Sequence, residues 1–229
     1  YTIDICALMQ NIFTPGGEIM QENKTVSNVV IRRLPRYYRY LTDLLASGIT
    51  RVSSKELSRR MHVTASQIRQ DFNCFGGFGQ QGYGYNVEYL HDCIAEILGI
   101  KGGRTMIIIG AGNLGRAVSG YAAFTKRGFK ITGLFDINKE LVGKQVNGLT
   151  VMHIDDIEKF VSENNTDIAV LAVPHGGAQE MADKLVGAGI KGIWNFSHAE
   201  LNVPGDVALE NVHLSDSLMT LSCKIERLK

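Results

Sequence analysis

The chain is predicted to be an α/β protein in two parts, a small helical unit closed by a β-hairpin and then a doubly wound parallel sheet. Three observations carry that reading. Between Lys24 and Asn73 short helical periods alternate with helix-capping residues; a glycine-rich stretch of interleaved aromatics follows; and from Arg104 apolar strand-like runs alternate with amphipathic helical ones. The last pattern is the rhythm of a parallel sheet covered on both faces. The 229 residues, 45% hydrophobic and 21% charged, suffice for two small cores.

Pro35 suits the first turn of a helix, where its missing donor costs nothing. Tyr37, Tyr38, Leu41, Leu44 and Leu45 then recur at helical spacing until Ser47-Gly48 ends the element. Ser53-Ser-Lys-Glu56 is a capping box opening a second helix, Ser54 to Met61. His62-Val63 is a tight connection, and Thr64-Ala-Ser-Gln67 is a second capping box that begins a helix through about Phe72. Two capped helices joined by so brief a turn form a helix-turn-helix. Val63, Ile68 and Phe72 pack inward, while Ser66, Gln67, Arg69 and Gln70 are left to face outward as side chains able to bond base edges and phosphates.

Phe75 to Tyr85 carries five glycines among aromatics and reads as the wing of a winged-helix domain. Its polar tip, Gly79-Gln80-Gln81, is placed to lie over a nucleic-acid backbone or minor groove; a flexible glycine loop is the competing reading. A helix from Val87 to Leu98 closes the domain, and Gly99 to Gly103 makes a linker.

Charge separates the same two parts. Lys24 to Asn73 holds ten Lys and Arg against three acids, a net of +7, and the remaining 14 bases and 20 acids give −6, so the overall +1 hides two opposed halves. A localised positive field is the footprint of a polyanion partner such as double-stranded DNA, although a solvated helix face has the same composition. With Arg33 and Arg36 from this segment, the expected DNA contacts are Arg33, Arg36, Ser66, Gln67, Arg69, Gln70, Gly79, Gln80 and Gln81.

In the second part, strands are expected at Thr105 to Ile109, Ile131 to Asp136, Val151 to Ile154, Asp167 to Val173, Gly192 to Asn195 and Val207 to Val212. Helices are expected at Leu114 to Arg127, Asp156 to Ser162 and Gln179 to Ala188. Ser215 to Leu228 is a terminal amphipathic helix with Leu218, Leu221, Ile225 and Leu228 on one stripe.

Gly110-Ala-Gly112-Asn-Leu-Gly115 ends an apolar strand, opens a helix and is followed by Asp136 at the end of the next strand, the context a Rossmann-like dinucleotide turn requires. Gly110 permits the tight turn, Gly112 lets the backbone approach a pyrophosphate and Gly115 lets helix pack on strand. The N–H groups near Asn113 and Leu114 face the phosphate charge, and Asp136 accepts from a ribose 2′-hydroxyl, favouring NADH and NAD+ over their 2′-phosphorylated counterparts. Val173-Pro174 and Asn195 lie at strand ends where ligands of open α/β sheets bind; Asn195 is expected either to reach a nicotinamide amide or to form a strand-end turn. The cofactor set is thus Gly110, Ala111, Gly112, Asn113, Leu114, Gly115, Asp136, Val173, Pro174 and Asn195. His175 is read as a loop histidine, since no second base, nucleophile or metal set accompanies it, and Cys74 as a packing residue in preference to a thiol sensor.

The four cysteines are scattered without a C-x-x-C pair, no apolar run approaches a membrane span, and the N-terminus lacks a signal-peptide pattern. A reduced, cytoplasmic protein is expected, with no membrane partner and no catalytic or metal residues. Gly16-Gly-Glu-Ile19 before Met20 can be encoded by a purine-rich tract of the kind that precedes a bacterial start codon. Residues 1–19 are accordingly expected to be a non-native leader, poorly ordered and idle, ahead of a winged-helix domain at 20–99, a Rossmann-like domain at 100–214 and a terminal helix at 215–229.

Five blocks, Arg33-Leu-Pro-Arg-Tyr-Tyr-Arg-Tyr-Leu41, Val63-Thr-Ala-Ser-Gln-Ile-Arg-Gln-Asp71, Phe75 to Tyr85, Gly110 to Gly115 and Gly189-Ile-Lys-Gly-Ile-Trp-Asn-Phe196, together resemble the Rex family of redox-sensing transcriptional repressors from about Val29 to Ile225. The resemblance implies a homodimer that binds an inverted-repeat operator, releases it when NADH occupies the pocket, and exchanges its terminal helix between subunits. Arg39 and Tyr121 match family positions implicated in linking operator grip to pocket occupancy. His213-Leu214 departs from members with an acid followed by an aromatic that reaches the partner's nicotinamide, so an Arg-to-acid contact across the dimer is not carried over. The alternatives are a small NAD-dependent dehydrogenase with a basic appendage, and a repressor answering to another nucleotide such as a CoA-type ligand.

Overall fold

The computed structural model describes residues 3–4, 25–73, 79–80 and 83–228. It divides into two compact units, Tyr1–Gly102 and Gly103–Lys229.

In the first unit, α1 (Asn28–Ile31) leads into α2 (Leu34–Ala46), where Pro35 takes the first turn as expected. β3 (Arg51–Val52) precedes α3 (Ser54–Met61) and α4 (Ala65–Asn73). Both helix starts are capped by the residues the sequence nominates: Ser53 Oγ accepts from Glu56 N at 3.1 Å, and Thr64 Oγ1 from Gln67 N at 3.1 Å. His62 makes the turn between them in a left-handed conformation, φ 52°. β3, which alternation over two residues could not reveal, pairs antiparallel with β5 (Gly84–Asn86), and β5 with β4 (Gly79–Gln80), giving the strands of a wing. Gln81, Cys74 and residues 75–78 lie outside the described residues. Asn86 caps α5 (Val87–Ile97) by accepting from Tyr89 N at 2.9 Å. The core joins Leu34, Tyr37, Leu41 and Leu44 of α2 to Leu57, Met61, Ile68 and Phe72 of the two capped helices and Leu90 and Ile94 of α5.

Within the segment expected to be an idle leader, β1 (Ile3–Asp4) pairs antiparallel with β2 (Thr25–Val26), so at these two residues the backbone is ordered by ladder bonds; the rest of 1–19 lies outside the described residues.

The second unit is built on β6 (Arg104–Ile109), β7 (Phe129–Asp136), β8 (Gln145–Val146), β9 (Leu149–His153), β10 (Ile168–Leu171), β11 (Gly192–Asn195) and β12 (Ala208–Asn211). Their order, β12-β11-β10-β6-β7-β9-β8, is parallel except for the edge strand β8, which pairs antiparallel with β9. Setting β8 aside, this is the 3-2-1-4-5-6 order of dinucleotide folds, with the switch point between β6 and β10. One face is packed by α7 (Ile157–Asn164) and α8 (Ala178–Gly187), whose Ile157, Val161, Ala182 and Leu185 meet Ile107, Ile109, Ala169 and Leu171.

The opposite face is covered more sparsely. It is covered by α6 (Asn113–Ser119) and a short 3-10 segment, Thr125–Arg127, where the sequence suggested one long helix, Leu114 to Arg127. The helix stops at Gly120 because Asn147, in the turn between β8 and β9, donates its side-chain N–H to Arg116 O and Ser119 Oγ, both at 2.8 Å. A Cβ at Gly120 would stand 2.9 Å from that amide. Beyond the break the sheet exposes an apolar groove of about 480 Å³ lined by Met106, Phe129, Ile168 and Trp194 among others. α9 (Leu214–Glu226) ends the unit with Leu214, Leu218, Met219, Leu221 and Ile225 each at least half exposed.

A Cβ on Gly115 would lie 1.8 Å from Gly110 O and 3.4 Å from Ile108 Cγ2, so the close approach of α6 to β6 requires glycine there. Gly115→Ala is expected to destabilise the second unit by about 3 kcal/mol or more, read as a lower thermal midpoint for that unit with the first unit's transition unmoved.

Candidate functional site

The outward face of α4 is partly what its sequence implied. Ser66, Arg69 and Gln70 are exposed, and Arg69 Nη1 donates to Ser54 Oγ at 3.2 Å, tying the two helices of the motif together. Gln67 turns inward instead, donating through Nε2 to Asp71 Oδ1 at 2.9 Å.

Asp71 is the residue the sequence reading passed over. It is fully buried and accepts two hydrogen bonds from Arg33, Nε to Oδ2 and Nη2 to Oδ1, each 2.7 Å, and one from Tyr37 Oη at 2.7 Å. Arg33, expected on DNA, is therefore corrected to a clamp within the unit: its side chain is 25% exposed and its fork is occupied by the carboxylate. Arg36 and Arg39 stay exposed on α2. Burial alone would raise the Asp71 pKa, but the hydrogen bonds from Arg33, Tyr37 and Gln67 outweigh it and hold the carboxyl below its ordinary value. Burial and the bond to Asp71 push the Tyr37 phenol upward.

At the wing, Gly84 is left-handed, φ 72°, and its missing side chain lets β5 pass Val52 O, which a Cβ would meet at 2.8 Å. Tyr83 beside it is 70% exposed, and Arg51 sits 5.7 Å over its ring. These two were not singled out from sequence; an exposed aromatic next to a basic strand is the signal that could have found them. Gly79 and Gln80 form β4.

The glycine turn opens a cleft of about 780 Å³ at the carboxyl ends of the strands, the size and place of a small-ligand site. Of the expected cofactor residues, Gly110, Gly112, Leu114, Asp136, Val173 and Pro174 line it. Ala111, Asn113, Gly115 and Asn195 are not among its lining residues. Ala111 is buried and its N–H donates to Asp136 Oδ2 at 2.6 Å, while Asp136 Oδ1 accepts from Asn138 N at 2.8 Å. Asp136 thus shapes the turn as well as facing the cleft, with further lone pairs for a ribose hydroxyl. Asn113 is exposed at the start of α6, where first-turn N–H groups have no partner within the helix. Gly112 has open space around its Cβ position.

Asn195 takes the strand-end alternative. It is 1% exposed, donates to Ala199 O and Asn211 Oδ1, both at 2.8 Å, and accepts from Ser197 N and Oγ. No side-chain group of Asn195 is left over for a nicotinamide. Ile137, Asp155, Met181, Glu180, Lys184 and Phe196 line the cleft without having been predicted, because they come from segments up to 81 residues beyond Gly115. The charged groups among the lining residues are three acids and one Lys, the latter 3.7 Å from Asp155, an unfavourable place for an added phosphate. His175 is exposed in a 3-10 turn. Tyr121 is half exposed and packs edge-on against Phe124; His213 holds the N-cap position of α9 without a side-chain cap bond, and Leu214 begins the helix.

Comparison with known proteins places both regions. Residues 103–199 match the family described as "CoA binding domain" and residues 25–73 the family described as "Putative DNA-binding protein N-terminus". The redox-sensing transcriptional repressor Rex of Caldanaerobacter subterraneus subsp. tengcongensis is 57% identical over 206 residues, 90% of this chain and 92% of that protein. Its counterpart from Clostridium botulinum is 52% identical over 208 residues, 91% and 99% of the two chains. Among solved structures, RSP in complex with β-NAD+ and operator DNA superposes with a TM-score of 0.83 at 55% identity, covering 88% of this chain and 93% of that one. RSP in complex with β-NADH gives 0.81 at 51% identity, covering 89% and 98%.

Asp71→Ala removes a buried partner from Arg33 and is expected to cost the first unit about 3 kcal/mol, measured as a lower urea midpoint. Because the folded carboxyl titrates below its unfolded value of about 3.9, its contribution is complete above that pH and is lost as pH falls through the folded pKa. Acidification from neutral pH should therefore weaken the wild type by more than it weakens Asp71→Asn.

Proposed function

The chain belongs to the Rex family of redox-sensing transcriptional repressors, and on that premise we propose that it holds an inverted-repeat operator as a homodimer and releases it when NADH fills the cleft. It is a regulator and not an enzyme. The observation that carries this reading is the presence on one chain of an ordered helix-turn-helix with Ser66, Arg69 and Gln70 outward and a dinucleotide cleft at the strand ends. Relatives at more than 50% identity hold operator DNA with β-NAD+, and β-NADH. Action on an operator supports a cytoplasmic location.

Arg69 and Gln70 from α4, with Arg36 from α2 and the wing strand Gly79–Gln80, supply the DNA contacts. Gly110, Gly112, Asn113 and Leu114 receive the pyrophosphate and Asp136 the ribose, so NADH and NAD+ occupy one cleft as regulatory ligands. Arg39, Tyr121, His213 and Leu214 are assigned to the switch and the dimer. The exposed apolar stripe of α9 and the uncovered sheet groove fit exchange of that helix between two copies.

NADH and NAD+ differ in charge and planarity at the nicotinamide alone, so discrimination arises around that ring. A ligand shifts a two-state equilibrium only by its differential affinity for the two states. The NADH-bound dimer is read as one whose recognition helices no longer match major grooves about one helical turn apart. A dehydrogenase is disfavoured because exposed His175, the candidate acid, is not among the residues that line the cleft. A CoA-type ligand shares the turn, but the Asp136 carboxylate is better suited to a free ribose.

Fluorescence anisotropy of a labelled inverted-repeat DNA should fall on adding NADH and hold with NAD+; equal operator affinity at saturation with either ligand would remove the switch. Arg69→Ala is expected to weaken operator binding by about 1–3 kcal/mol with NADH affinity unchanged. Gly112→Asp should do the reverse. Since the space at Gly112 is open, the fold tolerates the substitution and the added carboxylate repels the pyrophosphate; a variant that still releases DNA on NADH addition contradicts this assignment.

A further inference from the structure

Where β11 and β12 end side by side, two imidazoles meet outside the cleft machinery. His198 Nδ1 lies 3.3 Å from His213 Nδ1, and the rings are inclined by 25° with centroids 5.5 Å apart. Both are held by rigid surroundings. β11 and β12 pair in parallel with Asn195 opposite Asn211, and Val212 N donates to Asn195 O at 2.8 Å, which fixes the backbone entering His213. The buried Asn195 amide grips Ser197 and Ala199 on either side of His198. His198 is thereby kept left-handed at φ 58°, a conformation uncommon for a residue with a side chain, and it stands exposed with its ring toward His213.

We propose that His198 and His213 form a two-histidine site for a divalent transition-metal cation of the zinc class, with water completing its shell. A tetrahedral cation with metal–nitrogen bonds of about 2.0–2.1 Å separates two ligating nitrogens by about 3.3–3.4 Å, which matches the spacing the fold imposes. Neutral imidazole is the common nitrogen ligand for such ions. Without metal, one ring donates its Nδ1–H to the other. On binding, that proton resides on Nε2 of the same ring, both Nδ1 lone pairs face the cation, and no net proton is released while both rings are neutral.

Among the described residues no group of three or more His, Cys, Asp or Glu is assembled to hold an ion, so the site is open to solvent. The positive end of α9, whose N-cap position His213 occupies without a side-chain cap bond, opposes a cation. Affinity is therefore moderate, unlike that of a closed structural zinc centre. Occupancy would tie the loop after Phe196, a wall of the cleft, to the base of α9.

The test is calorimetric titration of the metal-stripped full chain with zinc chloride near neutral pH, beside His198→Ala and His213→Ala. One site per chain is expected, weakened by more than about tenfold in either variant, the loss that even an outer-shell partner of a ligating histidine can produce. It should also weaken on acidification, because protons compete with the metal for ligating imidazoles. Side-chain nitrogen NMR of the wild type gives a readout independent of the variants: substoichiometric zinc should shift the ring signals of two of the six histidines. Zinc binding unchanged in both variants, lost in only one, or absent from the wild type would overturn the proposal.

Discussion

The recognition helix is oriented by a carboxylate. Asp71, buried in α4, takes a two-pronged bond from Arg33 at the start of α2 and one from Tyr37 a turn further on. A hydrophobic contact would tolerate rotation of α4 about its axis; three directional bonds from Arg33 and Tyr37 do not, and Gln67 of α4 itself donates to the same carboxylate. A buried ion pair is a poor source of net stability because desolvation offsets much of its attraction. What it supplies is a defined geometry, which fixes the face on which Ser66, Arg69 and Gln70 are exposed. The caps of Ser53 and Thr64 and the edge-on packing of Phe72 on Tyr37 and Tyr85 then complete a unit already fixed in orientation.

The second unit uses the same device. Asp136 accepts from Ala111 N and Asn138 N, so the acid that lines the cleft also fastens the glycine turn to the end of β7. Asp167 does likewise at the other end of the sheet, accepting from Thr105 N and from Arg104, which joins the starts of β6 and β10. In each case a carboxylate near a chain reversal satisfies backbone N–H groups that strands leave open. The cleft is therefore preformed: its floor is the sheet, and its turn is held whether or not a nucleotide is present.

Features set by local periodicity were legible in the sequence, and those set by a distant partner were not. Capping boxes, Pro35 at a first turn and a glycine turn between an apolar strand and a helix each operate within a few residues. By contrast, the end of α6 depends on Asn147, 27 residues beyond Gly120, and without that contact Leu114 to Arg127 reads as continuous helix. Arg33 looked like a DNA contact because charge composition cannot tell a free guanidinium from one facing a buried acid 38 positions away. Asn195 showed the right residue type at the right strand end, yet its amide turns inward to Ala199 and Asn211. Side-chain direction at a strand terminus is a tertiary property.

The uncovered sheet face shows why two copies are needed. α7 and α8 cover one face, but the hairpin strand β8 stands in the connection from β7 to β9, and residues 196–207 reach β12 without a helix. One face therefore keeps only α6 and a 3-10 turn, leaving the groove beside Phe129, Ile168 and Trp194. The helix that could fill it, α9, follows β12 directly, yet within its own unit its Leu218, Leu221 and Ile225 remain exposed. Burial of apolar area is favourable at roughly 25 cal/mol per Å², so an apolar helix and an apolar groove that stay unmatched within one chain drive association between chains. The exposed apolar helix and the uncovered apolar groove of this unit are the surfaces that association of two copies can bury.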